Sequence, residues 1–389
     1  MKSKFLLTFT LLLITACSPS AETQTTLTAT AKTAVAALWT PTLTATNTPS
    51  STPTATSTQT ATPSPSNTPT PTATQTPTYT STLEPWPTPT LLATRATTET
   101  ATIVTGLRAP ALSLAWSPNQ EFLFIGTKAG MAAYDVKNDL LGRSVGNDAQ
   151  VQALAISPNG KLLAAGLAND GSLRIISTDT GMLEATIWPA HDDWPQAIIF
   201  GINNDWLVSG GDDGRLLLWD VSKGELLQTI YEGSPCLGLD LSPDGRTLVA
   251  SFGYEEVIRV WDTHSWTLKN EFVGDQAQDL SISPDGQRIV TAGGGIHEAN
   301  VWEISSGEQV FNLREHPGWV WAVAYSPQGH LIASAGIGES IYLWHAETGM
   351  PIRELHSGPD FIQTLAFSPD GKWLASGGEK VIIWDVSEY

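Results

Sequence analysis

Cysteine, methionine and basic residues are scarce in this chain, and no apolar run is long enough to cross a bilayer. Two cysteines in 389 residues, Cys17 and Cys236, are too few for a disulfide scaffold. Neither has a His or a second Cys at ligand spacing, so a zinc-ribbon or zinc-finger site is excluded. Only 20 Lys and Arg stand against 39 Asp and Glu. Residues 1–100 hold four of the bases and three of the acids, so the remainder carries 16 and 36, a balance of −20. A body this acidic repels phosphate backbones and anionic headgroups alike. Nucleic acid is therefore not expected as a partner, and any membrane contact must come from elsewhere in the chain. The G-x-S-x-G elbow, the H-E-x-x-H pair and the Walker loop are also missing, which removes common hydrolase, metalloprotease and NTPase signatures. No metal and no cofactor is expected.

The first residues read as an address. Lys2 and Lys4 precede an apolar stretch over 5–14, too short for a permanent span and laid out like a secretory signal. It ends in Leu13-Ile14-Thr15-Ala16-Cys17. This resembles the lipobox of bacterial lipoproteins: an apolar residue, two small residues, then Cys. The resemblance implies a signal peptide over 1–16, cut before Cys17, whose thiol then carries a diacylglyceryl group. At about 0.8 kcal/mol per buried CH₂, two or three acyl chains make a firm anchor where one is marginal. The protein would then sit on the outer face of a bacterial membrane, in the cell envelope or at the cell surface. Cys236, in an apolar stretch, reads as a small buried hydrophobe.

Residues 17–99 read as a disordered stalk. Thr and Pro dominate, with 31 Thr and 11 Pro in residues 21–100. Apolar side chains are too few to offset the entropy of ordering. Recurrent Pro favours the extended polyproline conformation, with a reach of about 250 Å fully extended and about 50 Å as a coil. The composition resembles O-glycosylated stalks, with an unmodified spacer as the alternative.

Residues 100–389 contain a unit recurring roughly every 42 residues. One landmark is Ser-Pro-Asp-Gly or a variant, at Ser117, Ser157, Ser242, Ser283, Ser326 and Ser368, with a degenerate copy at Gly201-Ile202-Asn203-Asn204. Pro presets one backbone angle, Asp or Asn bonds its own backbone, and Gly accepts positive φ. A second landmark closes each unit: Trp219-Asp220, Trp261-Asp262, Trp302-Glu303, Trp344-His345 and Trp384-Asp385, with Tyr134-Asp135 and Ile176-Ser177 in the first two. Between the landmarks lie short β-prone stretches, in the sixth unit over 320–325, 330–335 and 340–344. A fourth follows the closing pair, as over 225–230. Four short strands per unit, seven times over, indicate an all-β, seven-bladed β-propeller of four-stranded antiparallel blades.

The repeats resemble the WD-repeat (Trp-Asp repeat) family, and the resemblance covers residues 100–389. It implies that 100–105, which ends twelve residues before Ser117, where every other unit has its outer strand, supplies the missing outer strand of the last blade and closes the ring. It also implies a buried tetrad of His, Ser or Thr, Asp and Trp. Only the third unit has it complete, as His191, Ser209, Asp213 and Trp219; the sixth has His316, Ser334 and Trp344 with Gly338 in place of the acid. Two positions per blade, seven and five residues before the Ser-Pro turn, point outward in the family. They place Trp194, Trp319, Trp321 and Phe361 on one face as candidate partner-binding residues, the last three close together. The reading is a non-catalytic, monomeric, membrane-anchored scaffold that binds a protein or glycan. The alternative is an extracytoplasmic propeller enzyme of lactonase or dehydrogenase type.

Overall fold

A computed structural model describes residues 101–143, 149–293, 297–358 and 361–389. The lipobox, Cys17 and the Thr/Pro segment lie outside the described residues. Twenty-eight strands form seven four-stranded antiparallel sheets, and there is no helix among the described residues. Blades 1 to 6 follow chain order over 111–143, 151–187, 195–232, 236–273, 277–313 and 320–356. Blade 7 takes three strands from 364–385 and its outer strand from Ala101–Val104. Ala101 pairs with Trp384 and Val104 with Val381, so the first described strand zips onto the last. The innermost strands touch in sequence around the ring, and that of blade 7 meets that of blade 1. The described residues form a closed seven-bladed β-propeller.

The recurring turn residues each have a task. The Ser hydroxyl accepts the backbone N–H five residues on, six times over, at 2.9–3.0 Å. In four turns it also donates to the Asp or Asn two residues on. The Gly at the fourth position has φ between 68° and 77° in five turns, where a side chain is strained. The degenerate third copy makes the same turn, with Asn204 N–H donating to Gly201 C=O and Asn204 at φ 66°, a conformation Asn tolerates.

Seven apolar clusters hold the ring, one in each gap between neighbouring blades. The first residue of each closing pair sits in a different cluster: Tyr134, Ile176, Trp219, Trp261, Trp302, Trp344 and Trp384. Burying one such large side chain stabilises by about 1.5–3 kcal/mol. The repeated Trp is thus a gap-filling core residue rather than a cofactor-stacking one.

Six innermost strands break register with their neighbour at the same place. The residues left without a partner are Leu112, Gln152, Gln196, Leu237 and Trp321, and in blade 5 both Gln278 and Asp279. An extra residue in one strand re-aims its side chain. Repeated in six of the seven blades, the bulge brings unpaired side chains to the lining of the central channel.

Candidate functional site: the mouth of the central channel

The innermost strands of all seven blades enclose a cavity of about 960 Å³. The bulge residues line it together with Trp194, Phe361, Gln363, Asp240, Asp279, Glu379 and Lys128. The two positions assigned from the repeat are not equivalent. Those seven residues before the turn sit on the rim, as with Trp194 at 42% and Trp319 at 45% exposed. Those five before the turn lie in the bore and are partly covered, and Leu112 is buried outright, which corrects the expectation that both point outward.

The structure joins Trp321 and Phe361 edge to face, ring centroids 5.2 Å apart, a favoured geometry for aromatic pairs. Trp319 stands beside Ile337, whose N–H donates to the Trp319 carbonyl at 2.9 Å. Ile337 is itself 48% exposed. The Ile362 N–H donates to the Gly336 carbonyl, which ties the approach to blade 7 to the same loop. Trp319, Ile337, Trp321 and Phe361 therefore occupy one sector over blades 6 and 7. Trp194 belongs to blade 3, across the mouth from them. The buried Trp321 indole N–H has no acceptor among the described residues.

Across blades 2 and 3 the bore carries a relay of amides. Gln150 donates to Gln152, Gln152 to Gln196, and Gln196 to the Asp212 carboxylate, at 3.0, 3.0 and 2.8 Å. The acid at the end fixes which way every amide points. Burial raises the Asp212 carboxyl; the Gln196 bond opposes this, and the charges of Asp193 and Asp213 reinforce it.

Sequence reasoning missed Asp240 and Asp279. Asp240 accepts the N–H of Ile282 in the next blade at 2.6 Å, and Asp279 that of Val323 at 3.1 Å. Each satisfies a strand edge that otherwise faces the channel. Ser281 does the same for Tyr325. Both carboxylates are half-buried and face the cavity. Enclosure by protein on the other sides pushes Asp240 up to about 6 and Asp279 up to about 7, with the Asp240 charge adding to the latter. The available signal was an acid inside an apolar inner strand, where other blades mostly carry Ala, Gly, Ser or Thr.

The tetrad forms as a directional chain. The Trp219 indole N–H donates to Ser209 Oγ at 2.9 Å, Ser209 meets His191 Nε2 at 2.7 Å, and His191 Nδ1 meets Asp213 at 3.0 Å. Asp213 also accepts from the N–H groups of Asp192 and Arg215 and from the Arg215 guanidinium. Burial works to raise this carboxyl, but the His191 bond and charge and the backbone donors overcome it, and it lies well below the ordinary range. Ser209 is fully buried and His191 2% exposed. The trio of Ser, His and Asp thus ends on a core Trp, with its nucleophile position sealed from solvent. In blade 6 His316 and Trp344 both bond Ser334, and without the acid, burial pushes His316 down to about 4. Thr291 and Ser376 hold Trp302 and Trp384 likewise. Among the described residues no group of three His, Cys, Asp or Glu could hold a metal ion.

The WD40 family model (WD domain, G-beta repeat) matches residues 139–177, 183–220, 224–262, 307–345 and 349–385. Every match ends on the second residue of a closing pair. The copies closing at Tyr134-Asp135 and Trp302-Glu303 fall outside the five matches. Pre-mRNA-processing factor 19 of Schizosaccharomyces pombe is 29% identical over 152 residues, 38% of this chain and 30% of that protein. WD repeat and SOCS box-containing protein 1 of Danio rerio is 28% identical over 145 residues, 37% of this chain and 25% of that protein. Target of rapamycin complex subunit wat1 of Schizosaccharomyces pombe is 23% identical over 169 residues, 42% and 53% of the two chains. The chain thus spans less than a third of the first two relatives. Five matched repeats, a relative named for its WD repeats, and a closed seven-bladed ring together support the WD-repeat family for this chain.

Proposed function

We propose that the protein is a non-catalytic interaction scaffold whose partner docks on the channel mouth, and that a lipid on Cys17 holds it outside the cytoplasm. The observation that carries the docking reading is the sector in which Trp319 and Ile337 are exposed beside the partly exposed Trp321 and Phe361. Large aromatic side chains left accessible at a rigid, pre-formed concavity are what binding surfaces use as anchors. A closed ring keeps them in place without moving parts. The sealed Ser209–His191–Asp213 chain has a structural task, which argues against reading it as a hydrolytic triad. The lipobox and the Thr/Pro stretch support the anchoring part: acyl chains fix the N-terminus, the stalk extends, and a single ring meets its partner away from the membrane.

The test is affinity capture from native membranes, comparing wild type with Trp319→Ala combined with Trp321→Ala. Loss of a defined partner in the double variant is expected. Equal recovery by both proteins contradicts docking at this sector. Radiolabelled palmitate should enter the wild type and not Cys17→Ala, and incorporation in both would remove the anchor from the account.

A further inference from the structure

Charge at the mouth says what kind of partner fits. Three carboxylates line the cavity, Asp240, Asp279 and Glu379, against a single base, Lys128. The loops beside the aromatic sector add two more acids. Glu339 lies two residues after Ile337, and Glu315 four residues before Trp319; both are exposed. A Cβ placed on Gly338 would lie 3.3 Å from Pro317 Cγ, so these two loops lie close together. Arg314, the neighbouring base, is engaged with Glu298 at 3.0 Å. Across the mouth Trp194 is flanked in the same way: its N–H bonds Asp193, and Asp212 N–H bonds its carbonyl. Trp194 and Trp319 therefore each have acids beside them. The bore between them offers amide oxygens and carboxylates.

We propose that the occupant of the mouth is an extended, basic segment of a partner polypeptide, with a Lys or Arg side chain entering the bore beside Trp321 and Phe361. The inference rests on the docking reading above and adds the partner's chemistry. Three observations favour a cation over a neutral sugar or an acidic chain. The lining carboxylates outnumber bases, so an anionic group is repelled. Asp240 and Asp279 face the bore and accept from backbone N–H groups, of Leu241 and Ile282 and of Leu280 and Val323, so an entering cation gains their charge at little reorganisation. Aromatic faces beside them add a cation–π attraction. An extended segment suits the site because the bore admits a side chain while the rim, from Trp194 to Trp319, offers a track for backbone on either side.

The experiment pans a random dodecapeptide phage library against the full-length protein, held by its N-terminal segment. Selected peptides are then synthesised with a fluorophore and their affinities measured. Arg and Lys should be enriched beside aromatic or aliphatic residues. Affinity should fall about tenfold between roughly 0.05 and 0.5 M salt. The triple variant Glu315→Lys/Glu339→Lys/Glu379→Lys should bind about 10–100-fold more weakly. Glu225→Lys/Glu308→Lys/Glu347→Lys, at or beside the turns between the third and outer strands at the opposite end of the ring, should bind as wild type does. Peptides without basic enrichment, or equal losses in both triple variants, overturn the cationic assignment while leaving the docking reading intact. Binding to a glycan array with no peptide selected overturns it in favour of carbohydrate. No ligand from either source that is lost in Trp319→Ala/Trp321→Ala removes the docking reading as well.

Discussion

Asp212 and Asp213 are chain neighbours with opposite electrostatic histories, and substituting each in turn should have opposite consequences. Asp213 accepts from His191, from two backbone N–H groups and from Arg215. In Asp213→Ala the buried His191 ring loses its orienting partner and those donors lose their acceptor. Removing one member of such a buried network costs about 3–5 kcal/mol. Arg215 keeps Asp192 at 3.0 Å, but that carboxylate is 81% exposed, and a screened pair recovers little. The guanidinium is 27% exposed and can rehydrate, so the lower end, about 3 kcal/mol, is expected. For a body of this size that is a fall in Tm of roughly 6–12 °C. Asp212 accepts a single bond, from Gln196, and burial together with Asp193 and Asp213 works against its charge. Asp212→Asn should leave stability at pH 7.5 unchanged or slightly raised. Calorimetry and urea titration of both variants give the comparison. Equal losses, or a change below about 0.5 kcal/mol for Asp213→Ala, would refute the assignment of the tetrad as the staple of blade 3.

Three further outcomes can be checked. His316 titrates near 4 when folded and near 6.5 when unfolded, so the unfolded chain binds more protons between those values. Stability held at pH 7 is lost as pH falls from about 6.5 to about 4, by about 3 kcal/mol, and His316→Gln should lack that loss when its urea midpoints are compared with wild type. Asp279 runs the other way: its folded value is raised, so its ionisation weakens the fold as pH rises from about 4 to about 7, and the wild type should lose ground to Asp279→Ala across that window in the same titration. Burial pushes the Cys236 thiol far up and covers it completely; thiol titration of membrane-extracted protein should therefore find none while folded and one after denaturation if Cys17 is lipidated, and a second thiol would contradict lipidation.

The ring was legible because its determinants are local and repeated. A Ser-Pro-Asp-Gly turn uses its residues within six positions of chain, and a gap-filling Trp has to recur wherever two blades meet. Blade 3's tetrad was legible for the same reason, and the closing strand followed from counting strands. The mouth was legible only in outline. Which of two rim positions turns into the bore depends on a bulge, and nothing in Gln152 or Trp321 as residue types announces a register break. Asp240 and Asp279 were passed over because their partners, Ile282 and Val323, lie 42 and 44 residues away in the next blade. Ile337 was missed because its neighbour Trp319 is brought to it by the pairing of two strands and not by sequence.

Ring closure can be tested at Val104, which is buried against Ala375, Val381 and Ile383 in the gap shared by blades 7 and 1. Val104→Asp places an unpaired charge there and should cost at least about 3 kcal/mol. It should also free the edge of strand Val381–Asp385, giving dimers or larger species by light scattering. A variant that melts and elutes as wild type does would mean that 101–104 contributes no closure.

The most direct measurement of the docking claim places a photo-crosslinking amino acid at Phe361 in the mouth and, separately, at Leu227 on the outer strand Glu225–Glu232 of blade 3, where the side chain is 54% exposed. Illumination in intact cells should give a discrete protein adduct from position 361 and none from position 227. Adducts from 227 alone, or the same adducts from both, would contradict a partner seated on the channel mouth.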